Sequence, residues 1–199
     1  MMGFDPDKWE ETAAAILAEN ERRRNAGMSR EFTLKSLHPA SARLIYNAAL
    51  AAQAKRILEV GTSAGYSTLW LGRAAVENGG MVLSLEVKTD FAEMARGNVQ
   101  AAGLADYVTV ETCNAAEFLP SVCKKATFDF VFIDAEKSEY LTYFDAIWPH
   151  VETRGSVFAD NIVSHSEELA GYVKHVRELP DAVTDTVKVG NGLEWTVKL

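Results

Sequence analysis

A chain of 199 residues, 48% of them hydrophobic, is long enough for one globular domain with a full core. Its net charge of −8 argues against nonspecific affinity for phosphate backbones, which needs clustered Lys and Arg, so no nucleic-acid partner is expected. The two cysteines, Cys113 and Cys123, have neither metal nor redox spacing, no apolar run is long enough to span a bilayer, and the N-terminus lacks a basic-then-apolar leader. Reduced thiols, no membrane contact and a cytoplasmic setting are the expectation.

Asp5-Pro6 reads as an N-cap followed by proline at the first helical position. Trp9, Ala13, Ile16 and Leu17 then recur at helical spacing, and Arg22, Arg23 and Arg24 suit the C-terminal end of the helix dipole. A loop around Asn25-Ala26-Gly27 leads to a second helix from about Pro39. From Arg56 the pattern becomes short apolar runs alternating with helices. Strands are expected at 57–60, 81–86, 107–111, 128–133 and 156–159, and helices at 67–76, 89–102, 115–119, 138–148 and 167–178. Strands apolar on both faces, alternating with helices, specify an α/β fold with a mostly parallel sheet covered on both sides. At the C-terminus, 183–189 and 193–197 alternate around Gly190-Asn191-Gly192, a hairpin signature that places one antiparallel strand at the end of the sheet. The whole chain, 1–199, reads as a single domain: a helical extension over 1–54 and an α/β core over 55–199.

In such sheets ligands bind outside the carboxyl ends of the strands. There the first strand ends in Glu59-Val60-Gly61-Thr62-Ser63-Ala64-Gly65-Tyr66-Ser67, and Glu86 closes the second strand about 25 residues after Gly61, where an acid accepts from ribose hydroxyls. A dinucleotide loop needs G-x-G-x-x-G to face a pyrophosphate, and Thr62-Ser63 breaks that pattern. A nucleoside cofactor without phosphates needs only close backbone approach and well-placed acids. S-adenosylmethionine fits, with Glu59 and Glu86 as those acids.

The fourth strand ends in Asp134 and the fifth in Asp160-Asn161. Side by side, two carboxylates and an amide oxygen form a set that selects hard cations such as Mg²⁺, Ca²⁺ or Mn²⁺. Each acid alone could equally cap the helix that follows it. Lys137, three residues after Asp134, is a candidate proton acceptor beside such an ion, though taken alone it reads as an exposed lysine at a helix start. Glu136 and Glu139 read as solvated, and His165, just past Asn161, as a surface loop residue that could instead line the site.

The stretches ILEVGTSAGYST at 57–68, FDFVFIDAEKSEY at 128–140 and ADN at 159–161 occur in the order found in one family. The chain resembles the small bacterial and archaeal O-methyltransferases related to catechol and caffeoyl-coenzyme A O-methyltransferases, from about Pro39 to the end. The resemblance implies the Rossmann-like seven-stranded methyltransferase sheet with one antiparallel strand, the last to be inserted. It implies S-adenosylmethionine contacts along Glu59–Ser67 (Glu59, Gly61, Thr62, Ser63, Gly65, Tyr66, Ser67), at Glu86 and at Asn114-Ala115, with Asp134 close by. It implies a divalent metal on Asp134, Asp160 and Asn161, catalysis by Lys137 with Asp134, a small hydroxyl-bearing acceptor, and a homodimer. Cys113-Asn114-Ala115 departs from the family's usual Gly-Asp-Ala, which leaves its acidic adenine contact without a counterpart here. Two other readings remain at this point: a nicotinamide-dependent oxidoreductase of the same sheet class, and a noncatalytic S-adenosylmethionine-binding protein.

Overall fold

The computed structural model describes residues 4–29 and 31–199; the small parts of the N-terminal extension at 1–3 and 30 lie outside the described residues. Helix α1 spans Pro6–Asn25 and α2 spans Pro39–Ala51. Asp5 caps α1 by accepting from the Asp7 N–H at 3.1 Å, with Pro6 supplying the fixed first φ. Trp9, Ala13 and Ile16 form its buried stripe. Trp9 docks the helix: its Nε1 donates to the Leu69 carbonyl at 2.9 Å, its ring meets Trp70 edge-on at 4.6 Å, and the Arg73 guanidinium lies 4.9 Å from it. At the other end Arg22 and Arg23 both pair with Glu19, at 2.6 and 2.7 Å, so part of the arginine run serves the helix itself.

The core alternates as expected: β1 (Arg56–Val60), α3 (Tyr66–Asn78), β2 (Met81–Glu86), α4 (Thr89–Ala101), β3 (Val108–Thr112), α5 (Ala115–Val122), β4 (Phe128–Ile133), α6 (Tyr140–Ile147), β5 (Val151–Ala159), α7 (Ala170–Arg177), β6 (Ala182–Val187) and β7 (Leu193–Lys198). Three-residue 3₁₀ turns at Lys137–Glu139 and Trp148–His150 flank α6. In β4, Phe130 and Phe132 join the cluster made with α1–α4, while Val131 and Ile133 join the one made with α5–α7. Burial on both faces explains why this strand carries no polar alternation.

The seven strands run in the order β3-β2-β1-β4-β5-β7-β6. The first five are parallel, and β7 runs antiparallel to both neighbours. Hairpin alternation alone placed the antiparallel strand at the sheet's end. Instead β7 inserts beside β5 and β6 becomes the edge. The reason lies in the side chains. Leu193, Glu194 and Thr196 are fully buried and need neighbours on both sides, whereas β6 is only partly covered. The buried Glu194 is held by Arg177 Nε at 2.9 Å and by the Thr186 hydroxyl, which ties α7 to the hairpin.

Between β1 and β4 the strand order reverses, and this is the switch point at which α/β sheets open a crevice. Gly61 has φ +100°, and a Cβ there would lie 2.1 Å from the Asp134 carbonyl oxygen. Glycine is therefore required by the neighbouring strand's exit, independently of any ligand.

Candidate active site

A cavity of about 940 Å³ opens above this switch point. One wall is the glycine loop and the first turn of α3, from Val60 to Ala64 with Tyr66 and Ser67. Glu86 stands at the end of β2, with Oε2 accepting from the Ser63 N–H at 2.7 Å and Oε1 from the Lys88 N–H at 3.0 Å. These bonds fix the carboxylate and leave further lone pairs toward the cavity, as a ribose diol would need. Asn114 and Ala115 line the next wall; the Asn114 side chain also caps α5 by accepting from Ala116 N at 3.0 Å.

On the opposite wall the ends of β4 and β5 bring Asp134, Asp160 and Asn161 together. The pairing of Ile133 with Ala159 and the Asp160 N–H bond to the Ile133 carbonyl at 3.0 Å set that register. Asn161 takes a left-handed φ of +69°. Its Nδ2 donates to Asp134 Oδ1 at 2.7 Å, and its own Oδ1 accepts from the Ser164 hydroxyl and Asn191 Nδ2 at 3.4 Å each. Asp160 is 1% exposed, and its Oδ1 is buried with no hydrogen-bond partner among the described residues. Burial and the nearby Asp134 carboxylate push its carboxyl well above the usual range. Among the described residues no group of three or more His, Cys, Asp and Glu side chains is arranged to hold a metal, so the set is two carboxylates and an amide. An orphaned buried carboxylate oxygen beside a second acid fits a hard divalent cation. Mg²⁺ in particular takes one or two carboxylates and keeps several waters.

Lys137 sits beside Asp134 in the 3₁₀ turn. Its Nζ donates to Asp134 Oδ1 at 3.1 Å, to the Ala135 carbonyl at 2.9 Å and to the Tyr140 hydroxyl at 3.1 Å. The side chain is 13% exposed, so this is a largely enclosed ion pair rather than a surface lysine. Burial holds the Tyr140 phenol well above its ordinary pKa, and it stays protonated.

Two expected cofactor contacts do not reach the cavity. Glu59 lies fully buried beneath it, with Oε2 accepting from Thr68 and Ser84 hydroxyls at 2.5 Å each. It points between β1, β2 and α3 because residue 59 falls on the α3-facing side of β1. Burial pushes its carboxyl up to about 7. Gly65 also stays off the wall; its φ of +91° makes the turn into α3, which it caps. Conversely, Glu136, Glu139 and His165, read as solvated or as loop, all line the cavity. Glu139 accepts from the Tyr143 hydroxyl.

Sequence reasoning missed the remaining wall. Asn20 and Arg24 continue α1 past its buried apolar stripe, Met28 follows in the loop after the helix, and Thr33–Leu37 crosses above the glycine loop. The Ser63 hydroxyl donates to the Leu34 carbonyl, and Lys88 Nζ to the Glu31 carbonyl at 3.0 Å. Asn191, at the tip of the hairpin, reaches Asn161 Oδ1 at 3.4 Å. Its position between two glycines was the only signal, and it read as a turn.

A sequence profile of the O-methyltransferase family matches residues 24–179. The catechol O-methyltransferase of Niastella koreensis is 33% identical over 171 residues, 85% of this chain and 72% of that protein. A Mycobacterium tuberculosis catechol O-methyltransferase is 43% identical over 115 residues, 57% of this chain and half of its own length. Among solved structures, the O-methyltransferase from Bacillus cereus in complex with SAH superposes with a TM-score of 0.82 at 25% identity, covering 95% of this chain and 91% of that one. The three rim motifs, the inserted β7 and these matches agree: the chain belongs to the O-methyltransferase family and carries the Rossmann-like methyltransferase fold.

Proposed function

We propose that this enzyme transfers a methyl group from S-adenosylmethionine to a hydroxyl of a small phenolic or catechol-like acceptor, with a divalent cation held by Asp134, Asp160 and Asn161. The observation that carries the reading is one cavity with two chemically distinct walls. The glycine loop and Glu86 suit a nucleoside, and the carboxylate pair with Lys137 suits an acidic hydroxyl. The relatives' names support both the methyl transfer and the catechol-like acceptor. A nicotinamide oxidoreductase loses its footing with the family assignment and with a loop in which Thr62-Ser63 breaks the dinucleotide glycine pattern.

In this reading the cofactor brings a methyl group on a cationic sulfur, and the cation, when bound, acts as a Lewis acid that makes the acceptor hydroxyl more acidic. Glu86 orients the ribose through its remaining lone pairs. Gly61 permits close approach of the loop backbone. The step requires Lys137 as the neutral amine: its Nζ then takes the hydroxyl proton, and Asp134 Oδ1, 3.1 Å away, stabilises the ammonium that results. The acceptor oxygen then attacks the methyl carbon in line, the bond from that carbon to sulfur breaks, and S-adenosylhomocysteine leaves as the neutral thioether. Positioning the two reactants is the protein's larger contribution, worth up to about 7–11 kcal/mol when the geometry is near-attack.

A Lys137→Ala enzyme tested with catechol and labelled S-adenosylmethionine should lose turnover by a factor of about 100, while still binding S-adenosylhomocysteine. Full turnover would remove Lys137 from the mechanism. Cofactor binding without methyl transfer to any of a broad panel of hydroxyl compounds would favour a noncatalytic binding protein.

A further inference from the structure

We propose that Tyr140 is a positioning residue for Lys137, setting the direction of its amine toward the acceptor. The proposal rests on the reading of Lys137 as proton acceptor and adds a residue to it. Tyr140 opens α6 and is fully buried. Its hydroxyl donates its one proton to the Asp160 carbonyl at 3.3 Å, so its lone pairs face Lys137 Nζ at 3.1 Å. The ring is braced edge-on by Tyr172 at 5.7 Å, and Lys137 Nζ lies 5.1 Å from its centroid.

All three acceptors around Lys137 are near it in sequence, Tyr140 three residues after it, but only Tyr140 stands on a helix. Asp134 and Ala135 lie three and two residues before it, on the same strand exit. A flexible side chain held only by its own loop keeps rotational freedom about the long stem. Tyr140 adds a third point of attachment from a packed helix, and its other bond fixes it to the strand end that carries Asp160 and Asn161. The hydroxyl therefore couples the amine to the carboxylate wall across which the acceptor must lie. Its loss would misdirect the proton acceptor without touching either substrate. The effect should fall on turnover, and only where a proton has to be removed.

Two acceptors separate this role from a structural one. Catechol is neutral at about pH 8, whereas 4-nitrocatechol is already ionised there and needs no base. Tyr140→Phe should lower kcat on catechol about tenfold, a loss typical of removing a supporting partner. It should change kcat on 4-nitrocatechol by less than about twofold, with KM for S-adenosylmethionine unchanged. Lys137→Met should show the same selectivity, more strongly, and adding Tyr140→Phe to it should cost no more than about twofold further on either acceptor. Equal losses on both acceptors, no loss on either, or a full tenfold loss persisting in the Lys137→Met background would overturn the positioning role. A Lys137→Met enzyme as active as the parent on catechol would instead overturn the proton-acceptor reading, and the positioning role with it.

Discussion

Glu59 gives a stability experiment whose sign and size follow from the structure. Its carboxyl is fully buried, Oε2 accepts two hydroxyl donors at 2.5 Å, and Oε1 has no partner among the described residues. Burial dominates, with a smaller contribution from the Asp134 charge, and raises the group from 4.5 to about 7. The folded state thus keeps a proton that the unfolded chain releases above its ordinary value. Folding stability from this group is full below about pH 4.5, falls as pH rises through the window, and levels off above about 7. At about 1.4 kcal/mol per pH unit, the total is on the order of 3 kcal/mol. Glu59→Gln keeps the shape and removes the titration. Urea unfolding of both proteins between about pH 4.5 and 8 should show the variant gaining on the parent by up to about 3 kcal/mol as pH rises. Any fixed offset from the new amide cancels in that comparison. A difference that stays flat across the range would refute the buried, proton-retaining Glu59.

Gly61→Ala should destabilise the fold by at least about 2 kcal/mol in thermal unfolding, since its Cβ would overlap the Asp134 carbonyl at 2.1 Å and φ is +100°; a neutral result would mean the two strand exits are looser than described. Trp9→Ala should cost about 3–5 kcal/mol, because the indole is 3% exposed and anchors α1 through Leu69. A loss under about 1 kcal/mol would mean that α1 is not firmly docked. Asp160→Asn should weaken Mg²⁺ binding by at least about tenfold in calorimetry, since it replaces a charged, orphaned buried oxygen with a neutral one; unchanged affinity would place the ion elsewhere.

The sheet was legible because most of the parallel strands carry short apolar runs, most plainly Phe130-Val131-Phe132-Ile133, and many of the connections carry Gly, Asn or Asp. The rim acids were legible because strand ends have a fixed place in this fold. Glu59 was misplaced because a side chain two residues before the loop can point up to the rim or into the α3 face, and only the packing of Thr68 and Ser84 decides. The cavity wall from α1, the 33–37 crossing and Asn191 carry no periodic signal: they meet the site through contacts such as Ser63 with Leu34, 29 residues apart. Tyr140 lies in the DAEKSEY run, yet its role depends on the Asp160 carbonyl, 20 residues away. Long-range pairs of this kind do not leave a local pattern.

The central claim is methyl transfer assisted by the Asp134–Asp160–Asn161 site. Its most direct test is mass-spectrometric detection of methylated catechol after incubating S-adenosylmethionine with enzyme stripped of metal, before and after Mg²⁺ is returned. The account expects no product from the stripped enzyme and product once Mg²⁺ is added. Equal product from demonstrably metal-free enzyme would contradict it.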